Sequence, residues 1–188
     1  MDDKAKVLLP IARAAISSAL GVPMTADESA PWLKQPGACF VTLTQHSELR
    51  GCIGSLESRR PLLDDLKSNA VYAALNDTRF MPLTPSELGI TRIEVSLLTP
   101  PQPMAFRDEA DLLSQLRPGV DGVIFEFAGY RSTFLPQVWE QIPSAHHFIG
   151  QLKRKAGLPA DFWGEGVKIS RYSVTKFKEE APWTNPSA

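Results

Sequence analysis

The sequence predicts an α+β fold, a mostly antiparallel sheet with flanking helices, from three observations. Segments whose apolar residues recur with helical spacing alternate with segments of period two, so both kinds of element are present. Two pairs of strand-like segments are separated by only a few residues, which is typical of antiparallel hairpins. With 188 residues, 43% of them apolar, the chain is long enough to bury a core. We therefore expect one domain over residues 1–188, with a polar tail from about residue 181.

The first predicted element is a helix over residues 3–20, because apolar residues there recur every three or four positions. Asp2 or Asp3 can cap its start, and Gly21 ends it. Pro10 either kinks this helix or marks its beginning. The connection that follows holds three prolines and is predicted to be irregular.

A hairpin is predicted from residues 39–44 and 49–55, which alternate and are joined by a short polar turn. In the register that we expect, Val41 lies opposite Cys52. This register places Cys39 and Cys52 on the same face of the hairpin as diagonal neighbours.

The remaining elements follow from the same two periods and from helix-capping signals. They are a helix over 58–76, a short helix that begins with a capping box at Thr84, a half-buried strand over 90–98, a helix over 107–116, a hairpin of 122–128 with 131–135 that turns at Gly129-Tyr130, a helix from Ser144 to Ala156, and a strand pair or one long strand over 167–177.

The balance of charge argues against a broad nucleic-acid-binding face, since 20 lysine and arginine residues stand against 21 aspartate and glutamate residues. The basic run 153–155 is predicted to be a solvated helix end. No apolar run approaches the ~18 residues that a membrane span needs, and the acidic start lacks a signal-peptide pattern. We therefore expect a cytoplasmic protein with reduced thiols. The two cysteines and three histidines show no metal-ligand spacing, so no metal site is predicted.

Residues 49–54, Leu-Arg-Gly-Cys-Ile-Gly, form the most informative motif in the chain. Gly51 and Gly54 allow backbone to approach a ligand closely. Arg50 can bind a carboxylate or phosphate through two donors, and a cation near Cys52 favours the thiolate, the form that attacks electrophiles. The same pattern also fits a buried, unreactive cysteine beside a β-bulge, and both interpretations stay open.

Four further polar residues are candidates for a site. Asp77 and Arg79 lie two residues apart on a turn, where they either pair with each other or face a cleft. Glu94 lies on the polar side of its strand and can act as a general base if a cleft buries it, whereas most such residues are solvated or paired. Gln137 offers a donor and an acceptor where a strand ends at a proline. The candidate catalytic residues are Cys52 and Glu94, and the candidate substrate-binding residues are Arg50, Gly51, Gly54, Asp77, Arg79 and Gln137.

Several of these segments occur in an order that resembles a known family. In chain order they are Gly37 followed by Phe40-Val41-Thr42-Leu43, Leu49-Arg50-Gly51-Cys52-Ile53-Gly54, Asp77-Thr78-Arg79-Phe80, Glu94-Val95-Ser96-Leu97-Leu98-Thr99-Pro100, Gly122-Val123-Ile124 and Phe134-Leu135-Pro136-Gln137-Val138-Trp139. Over roughly residues 5–180 the chain resembles the AMMECR-domain family, protein A of the AmmeMemoRadiSam system. One departure is Thr78, where proline is more often expected, and it alters the rigidity of that turn.

The resemblance implies an α+β domain of a larger and a smaller lobe, with the cysteine motif near the cleft between them. It also implies partners, namely a Memo-like protein similar to extradiol dioxygenases and a radical SAM protein. The resemblance brings no established catalytic set, and it identifies no cofactor. The residues that occupy the family's recurrent polar positions are Arg50, Cys52, Asp77, Arg79, Glu94 and Gln137.

Two functions follow from these residues. In the first, the protein is an enzyme in which Cys52 is the nucleophile or a thiolate ligand. Arg50 or Arg79 then holds an anionic group of a small substrate, and Glu94 or Asp77 moves protons. In the second, the protein is a binding or accessory module that docks a Memo-like or radical SAM partner through exposed apolar side chains. The residues expected to form that surface are Trp32, Phe80, Trp139 and Trp163.

Overall fold

The computed structural model describes residues 3–180, which form two compact units. Unit 1 comprises the described residues up to Leu98 together with those from Thr175 onward, and unit 2 comprises Thr99–Val174. Each unit combines helices with antiparallel strands, which confirms the predicted α+β fold class. The single-domain organisation and the interlobe cleft stay predictions, and the predicted polar tail and Asp2 lie outside the described residues.

Regular elements cover most of the chain that the structure describes. The α-helices there are α1 (Ala5–Ala19), α2 (Leu62–Leu75), α3 (Glu109–Gln115) and α4 (Ala145–Lys155). The strands there are β1 (Pro36–Gly37), β2 (Cys39–Gln45), β3 (Glu48–Gly54), β4 (Arg60–Pro61), β5 (Thr91–Leu98), β6 (Gln102–Pro103), β7 (Gly122–Phe127), β8 (Tyr130–Phe134), β9 (Lys168–Tyr172) and β10 (Val174–Lys178). Short 3₁₀ helices span Pro31–Lys34, Pro85–Glu87 and Pro136–Glu140. None of the described helices is long and apolar enough to cross a membrane.

Unit 1 is built on a four-stranded sheet in the order β10-β5-β2-β3, in which β2 pairs antiparallel with both β3 and β5. Alternate residues of each strand point to one face, as the period of two requires. On that face the buried core includes Val41, Leu43, Ile93 and Val95, packed under α1 and α2. We call this the helix face, and the opposite face, which bears Thr42, the polar face.

The β2–β3 hairpin turns at His46 and Ser47, whose φ angles of 50° and 69° suit a two-residue hairpin turn. The pairing then shifts by one residue, because Arg50 is an extra residue of β3 between the pairs Thr44–Leu49 and Leu43–Gly51. The expected pairing of Val41 with Cys52 was therefore wrong. A shift of one residue moves a side chain to the other face.

The consequence of this β-bulge concerns the two cysteines. Cys52 lies opposite Thr42 and not opposite Val41. Cys39 is fully buried in the core of the helix face, whereas Cys52 is half-buried on the polar face. The two thiols are therefore on opposite faces of the sheet, and the predicted diagonal contact between them does not form.

The ends of two predicted helices in unit 1 differ from the expectation. Helix α1 continues through Pro10, and its N-cap is Lys4 and not Asp3, with no capping bond from a side chain. Helix α2 begins at Leu62, with Pro61 at its N-cap, so the predicted helical start was too early. The capping box at Thr84 is present, although the helix that it begins is a short 3₁₀ helix.

Unit 2 is built on a second antiparallel sheet in the order β6-β9-β7-β8. The β7–β8 hairpin turns at Ala128 and Gly129, whose φ angles are both positive, one residue earlier than predicted. Ser144 caps α4 as predicted by accepting a hydrogen bond from the His147 backbone. The ring of Trp139 stacks on that of Phe148 with centroids 3.7 Å apart in the core of this unit.

The predicted solvated run at the end of α4 was wrong for Lys153, which is fully buried. Its ammonium group pairs with Glu109 at the start of α3 and donates to the carbonyl of Ala160 at 3.1 Å. A buried charge persists only with such partners, because desolvation otherwise makes it too costly.

Candidate functional site

A row of polar side chains crosses the polar face of the unit 1 sheet. Thr42 lies at its centre, paired across β2–β3 with Cys52 and across β2–β5 with Glu94. Lys176 of β10 extends the row, because its Nζ atom lies 3.8 Å from Oε1 of Glu94. We call Cys52, Thr42, Glu94 and Lys176 the polar row. The structure therefore places both predicted catalytic residues on one face, with a hydroxyl between them.

The Cys52 thiol is half-buried and has a polar neighbour. Its Sγ atom lies 3.3 Å from Oγ1 of Thr42, and either atom can donate the proton. This short separation fits a pair of opposing residues that do not hydrogen-bond through their backbones, because side chains approach most closely there. Thr42 is therefore positioned to donate to a Cys52 thiolate or to accept from the thiol.

The backbone of Cys52 is held from the edge of the sheet. Strand β3 is an edge strand, and the N–H of Cys52 donates to Oδ2 of Asp77 at 2.9 Å. Nη2 of Arg79 donates to the carbonyl of Cys52 at 3.3 Å. Arg79 also binds Asp77 through Nε at 2.9 Å and through Nη2 at 2.7 Å. The Asp77–Arg79 pair thus bonds both backbone groups of Cys52.

The charge of Asp77 is fixed by these contacts. Hydrogen bonding from Arg79 holds the pKa of the Asp77 carboxyl well below its usual range, against the opposing effect of burial. The same pairing raises the pKa of Arg79, to which the nearby Cys52 sulfur also contributes. A carboxyl that ionises so readily is a poor proton acceptor near neutral pH, so a role as a base does not suit Asp77.

Arg50, the bulge residue of β3, is also bound to the protein. Its Nε atom lies 3.1 Å from Oε1 of Glu87, and its Nη1 atom donates to the carbonyl of Met81 at 2.8 Å. Burial raises the pKa of Glu87, but hydrogen bonds from Thr84, Arg50 and Gln45 outweigh it and lower that pKa to about 2. Arg50 therefore ties the start of β3 to the 3₁₀ helix at Pro85–Glu87.

The two motif glycines have packing reasons for lacking a side chain. A Cβ atom on Gly51 would lie 2.1 Å from the carbonyl oxygen of Ala73, so α2 can approach β3 only because residue 51 is glycine. A Cβ atom on Gly54 would lie 2.2 Å from the ring of Phe40, its cross-strand neighbour. A role for these two glycines in substrate binding stays a prediction.

A second polar cluster lies on the helix face around Asp65 of α2, which is buried. Its carboxylate accepts hydrogen bonds from the backbone N–H of Cys39 at 3.0 Å and from Ser55 Oγ at 2.6 Å. Nδ2 of Asn69 and Nε of Arg60 each donate to it at 3.0 Å. This cluster was not predicted, because its donors are spread over 30 residues whose meeting depends on how α2 packs.

The Cys39 thiol belongs to that cluster. Its Sγ atom lies 3.6 Å from Oδ2 of Asp65. Burial, and next the charge of Asp65, raise the pKa of Cys39 well above that of a free thiol. Cys39 is therefore a packed core cysteine whose thiolate is disfavoured.

The other predicted site residues fall elsewhere. Gln137 lies in unit 2, on the 3₁₀ helix Pro136–Glu140, where its side chain is exposed. Within residues 3–180, no three side chains of histidine, cysteine, aspartate or glutamate lie close enough together to bind a metal ion.

The aromatic residues expected to form a docking surface are largely packed. Trp139 is buried, and its indole N–H donates to the carbonyl of Asp121 at 2.7 Å, so the expectation was wrong for this residue. Trp32 packs against the core of unit 1, and Trp163 packs against the core of unit 2. Phe80 is half-buried with the Arg79 guanidinium 5.5 Å from its ring centre.

Two members of the polar row, Thr42 and Lys176, were not predicted. The alternation of β2 and β10 does indicate which face each of them occupies, since Val41, Leu43 and Phe177 face the core. The pairing of β10 with β5 joins segments about 80 residues apart in sequence, and no local pattern reports it.

Comparisons with known proteins place the chain in a family. The sequence profile of the AMMECR1 family matches residues 9–177. The chain belongs to the AMMECR1 family. This finding confirms the family resemblance that the motif order indicated.

Two archaeal relatives extend the family match over nearly the whole chain. A protein of Methanothermobacter thermautotrophicus is 38% identical over 190 aligned positions, which cover 95% of this chain and 95% of the relative. A protein of Methanocaldococcus jannaschii is 38% identical over 180 positions, covering 91% of this chain and 88% of the relative.

A solved structure of an archaeal protein has a similar fold. The crystal structure of an uncharacterised protein from Pyrococcus horikoshii superposes with a TM-score of 0.77 at 32% identity. The superposition covers 97% of this chain and 94% of that chain. None of these relatives is named for an activity, so family membership establishes the fold and leaves the function to be proposed.

Proposed function

We propose that this AMMECR1-family protein is a thiol-dependent enzyme that acts on a small anionic substrate at the polar row. The observation that carries the proposal is the Cys52 sulfur, half-buried and 3.3 Å from the Thr42 hydroxyl, in one row with a carboxylate and an ammonium group. A nucleophilic thiol needs partial exposure, a polar partner and a route for its proton. The polar row offers the first two, and in the proposal the carboxylate of Glu94, opposite Thr42 on β5, takes the proton.

The proposed step is a displacement at an electrophilic carbon of the substrate. A bond forms between Cys52 Sγ and that carbon while the bond to the leaving group breaks, and the leaving group departs with the electron pair. The thiol proton passes through the Thr42 hydroxyl, which gives up its own proton to Glu94, and Glu94 delivers it to the leaving group. Water then attacks the same carbon, so that a carbon–oxygen bond replaces the carbon–sulfur bond and one water proton returns to the sulfur.

Asp77 and Arg79 are positioning residues in this proposal. They bond the N–H and the carbonyl of Cys52, and they fix the segment that carries the thiol. Such a role needs a carboxylate that stays ionised, and the lowered pKa of Asp77 supplies one. Arg50 acts at the other end of the same strand by binding Glu87.

The test is the pH dependence of alkylation in the native protein. Iodoacetamide is applied from about pH 5 to pH 9, and the rates at Cys52 and Cys39 are measured by mass spectrometry, with Cys39 as the buried control. We expect Cys52 to be alkylated in the native protein, because its thiol is half-buried and not enclosed in the core. We expect Cys39 to react only after unfolding in urea. A Cys52 as slow as Cys39 would overturn the proposal.

The role of Glu94 is tested by Glu94→Gln, with Glu48→Gln as a matched control at the exposed start of β3. The first substitution should change the pH profile of Cys52 alkylation, because it removes the carboxylate of the polar row. The second should leave the profile as in the wild type. Equal profiles for both variants would remove Glu94 from the mechanism.

The second candidate function is an accessory module that binds a Memo-like or radical SAM protein. Exposed apolar side chains in unit 1 favour it, above all Met81, which is 81% exposed and whose carbonyl holds Arg50. Sedimentation of the purified proteins together tests this function. A complex with either partner that Met81→Asp abolishes and Cys52→Ala leaves intact would favour the module over the enzyme.

A further inference from the structure

We infer that the anionic group of the substrate is bound by Arg92, Lys176 and Lys178, and not by Arg50 or Arg79. This inference rests on the proposed function, because it names the subsite that would hold the substrate beside Cys52. Sequence reasoning assigned the anion to the two arginines of the motif segments. The structure shows that both of those arginines already have carboxylate partners within the protein.

The three cations share the polar face. Arg92 pairs with Thr44 and lies two residues before Glu94, so the period of two places it on the same face as Glu94. Lys176 contacts Glu94 directly. Lys178 lies two residues beyond Lys176, and the residue between them, Phe177, is buried in the core on the opposite face.

The charge of this group is unbalanced. On the polar face, strands β5 and β10 carry three cationic side chains and a single carboxylate, that of Glu94. Within the described residues, neither Arg92 nor Lys178 has an ion pair, whereas Lys176 shares Glu94 at 3.8 Å. An anionic ligand would therefore gain attraction there without first breaking an ion pair of Arg92 or Lys178.

Strand spacing sets the length of the ligand. Strands β3 and β5 are separated by β2, so the strand of Cys52 and the strand of Arg92 lie about 10 Å apart between backbones, with β10 and its two lysines about 5 Å further. Long side chains of arginine and lysine span part of that distance. The substrate class is therefore an elongated small anion, whose carboxylate or phosphate is joined to the electrophilic carbon through several bonds.

A matched pair of thiol reagents tests the subsite. Dithiobis(nitrobenzoate) carries a carboxylate on each ring, and dithiodipyridine is a neutral aromatic disulfide of similar shape. In both reactions the Cys52 thiolate attacks one sulfur of the reagent, a mixed disulfide forms, and the other half leaves as a thiolate. The ratio of the two rates at Cys52, anionic over neutral, therefore reports the local charge and cancels the intrinsic reactivity of the thiol.

We expect this ratio to fall about two- to fivefold in each of Arg92→Gln, Lys176→Gln and Lys178→Gln, and further in the triple variant, since each removes a nearby charge. We expect the effect to shrink as salt is raised. Lys6→Gln is the matched control, because Lys6 lies on α1 at the helix face and is exposed. It should leave the ratio unchanged.

The outcomes separate the two proposals. A Cys52 that reacts with the neutral reagent, at a ratio that the three variants do not alter, would overturn the subsite and leave the thiol enzyme standing. A Cys52 that reacts with neither reagent in the native protein would overturn the enzyme.

The subsite is then tested without the thiol, in Cys52→Ala, by titration with glutarate and with inorganic phosphate followed by backbone amide resonances. Saturable shifts on β5 and β10 would support the subsite. Glutarate should bind more tightly than phosphate, because the subsite is expected to fit an elongated anion. Absence of shifts there, or equal shifts over the whole surface, would overturn it. A strongly salt-dependent affinity for RNA on the same strands would assign the cations to nucleic acid instead.

Discussion

The two faces of the unit 1 sheet each carry one cysteine, and they give it opposite surroundings. On the helix face, Cys39 has no exposed surface, and its thiol points at the buried Asp65 carboxylate. On the polar face, Cys52 is half-buried beside a hydroxyl. Both residues belong to one hairpin, so residue type and secondary structure are shared. The face of the sheet therefore decides how far each thiol is buried and which polar group it contacts.

That assignment depends on the extra residue at Arg50. Without the bulge, Cys52 would lie opposite Val41 and would point toward α2 with Cys39. A single added residue thus moves one thiol out of the core. Bulges often re-aim side chains next to functional sites, and here the bulge residue also anchors itself through Glu87.

The two faces should differ most in how much stability is lost when the carboxylate on each face is replaced by an amide. Asp65→Asn removes the buried charge that pairs with Arg60 and turns one acceptor oxygen into an NH2 donor that faces other donors, so it should lower the free energy of unfolding by about 3 kcal/mol. Glu94→Gln is the polar-face counterpart and should cost less than about 1 kcal/mol, because its partner Lys176 is largely exposed. Urea unfolding measures both. Equal losses of unfolding free energy in the two variants would mean that the Asp65 and Glu94 carboxylates are equally important to the fold, which would contradict the prediction.

The next effect concerns the approach of α2 to the helix face. Gly51→Ala should cost about 2–3 kcal/mol, since the new Cβ would overlap the Ala73 carbonyl and the helix must move. Gly54→Ala meets the ring of Phe40 at 2.2 Å and its Cα atom at 2.7 Å, and it should cost less because its overlap with backbone is smaller than at Gly51. Thermal unfolding of the two variants checks the order. The reverse order would show that α2 is the more easily displaced element.

The anchor of the bulge adds a dependence on pH. The folded-state pKa of Glu87 is about 2, below its ordinary value of 4.5, so its stabilisation is complete above pH 4.5 and is lost as the pH falls toward 2. Wild-type protein should lose roughly 2 kcal/mol from this group over that interval. Glu87→Gln should flatten that part of the curve. Unfolding free energies from urea titrations at several acidic pH values measure the slope, and identical slopes would contradict the prediction.

The smallest effect on stability should come from Thr42. Thr42→Val keeps the shape of the side chain and removes the hydroxyl beside Cys52, so stability should change by less than about 1 kcal/mol. Alkylation of Cys52 at neutral pH should slow by about two- to tenfold, which is the worth of one hydrogen bond to the thiolate. An unchanged rate would show that Thr42 only packs against the sulfur. Ser96→Ala, on the same face of β5, is the matched control.

Local patterns predicted most of the elements, because the forces that form them act over a few residues. The alternation around Ile93 and Val95 predicted strand β5, and Ser144 predicted the start of helix α4. Capping and periodicity are properties of neighbouring residues, so they can be recognised without the fold.

The site could be predicted only in part, because its geometry depends on contacts that are distant in sequence. Cys52 and Glu94 were identified as candidates, and the glycines of the motif were compatible with a β-bulge, but they did not indicate that the extra residue is Arg50 or which face Cys52 would occupy. Glu94 has Thr42 on one side and Lys176 on the other because β5 lies between β2 and β10. This strand order is not readable from local patterns. Lys153 teaches the same lesson in unit 2, since its partner Glu109 lies 44 residues earlier in the chain.

The Asp77–Arg79 pair has a consequence for self-association. An edge strand offers free N–H and carbonyl groups on which another chain can pair, and long flat edges template aggregates. At Cys52 both groups are already bonded, by a carboxylate and a guanidinium that stand where the next strand would lie. The pair thus acts as a side-chain substitute for a fifth strand at this point. It keeps a second copy of the chain from pairing with β3 at Cys52. The edge is thus blocked by two side chains, and the thiol on the polar face is not covered by an added strand.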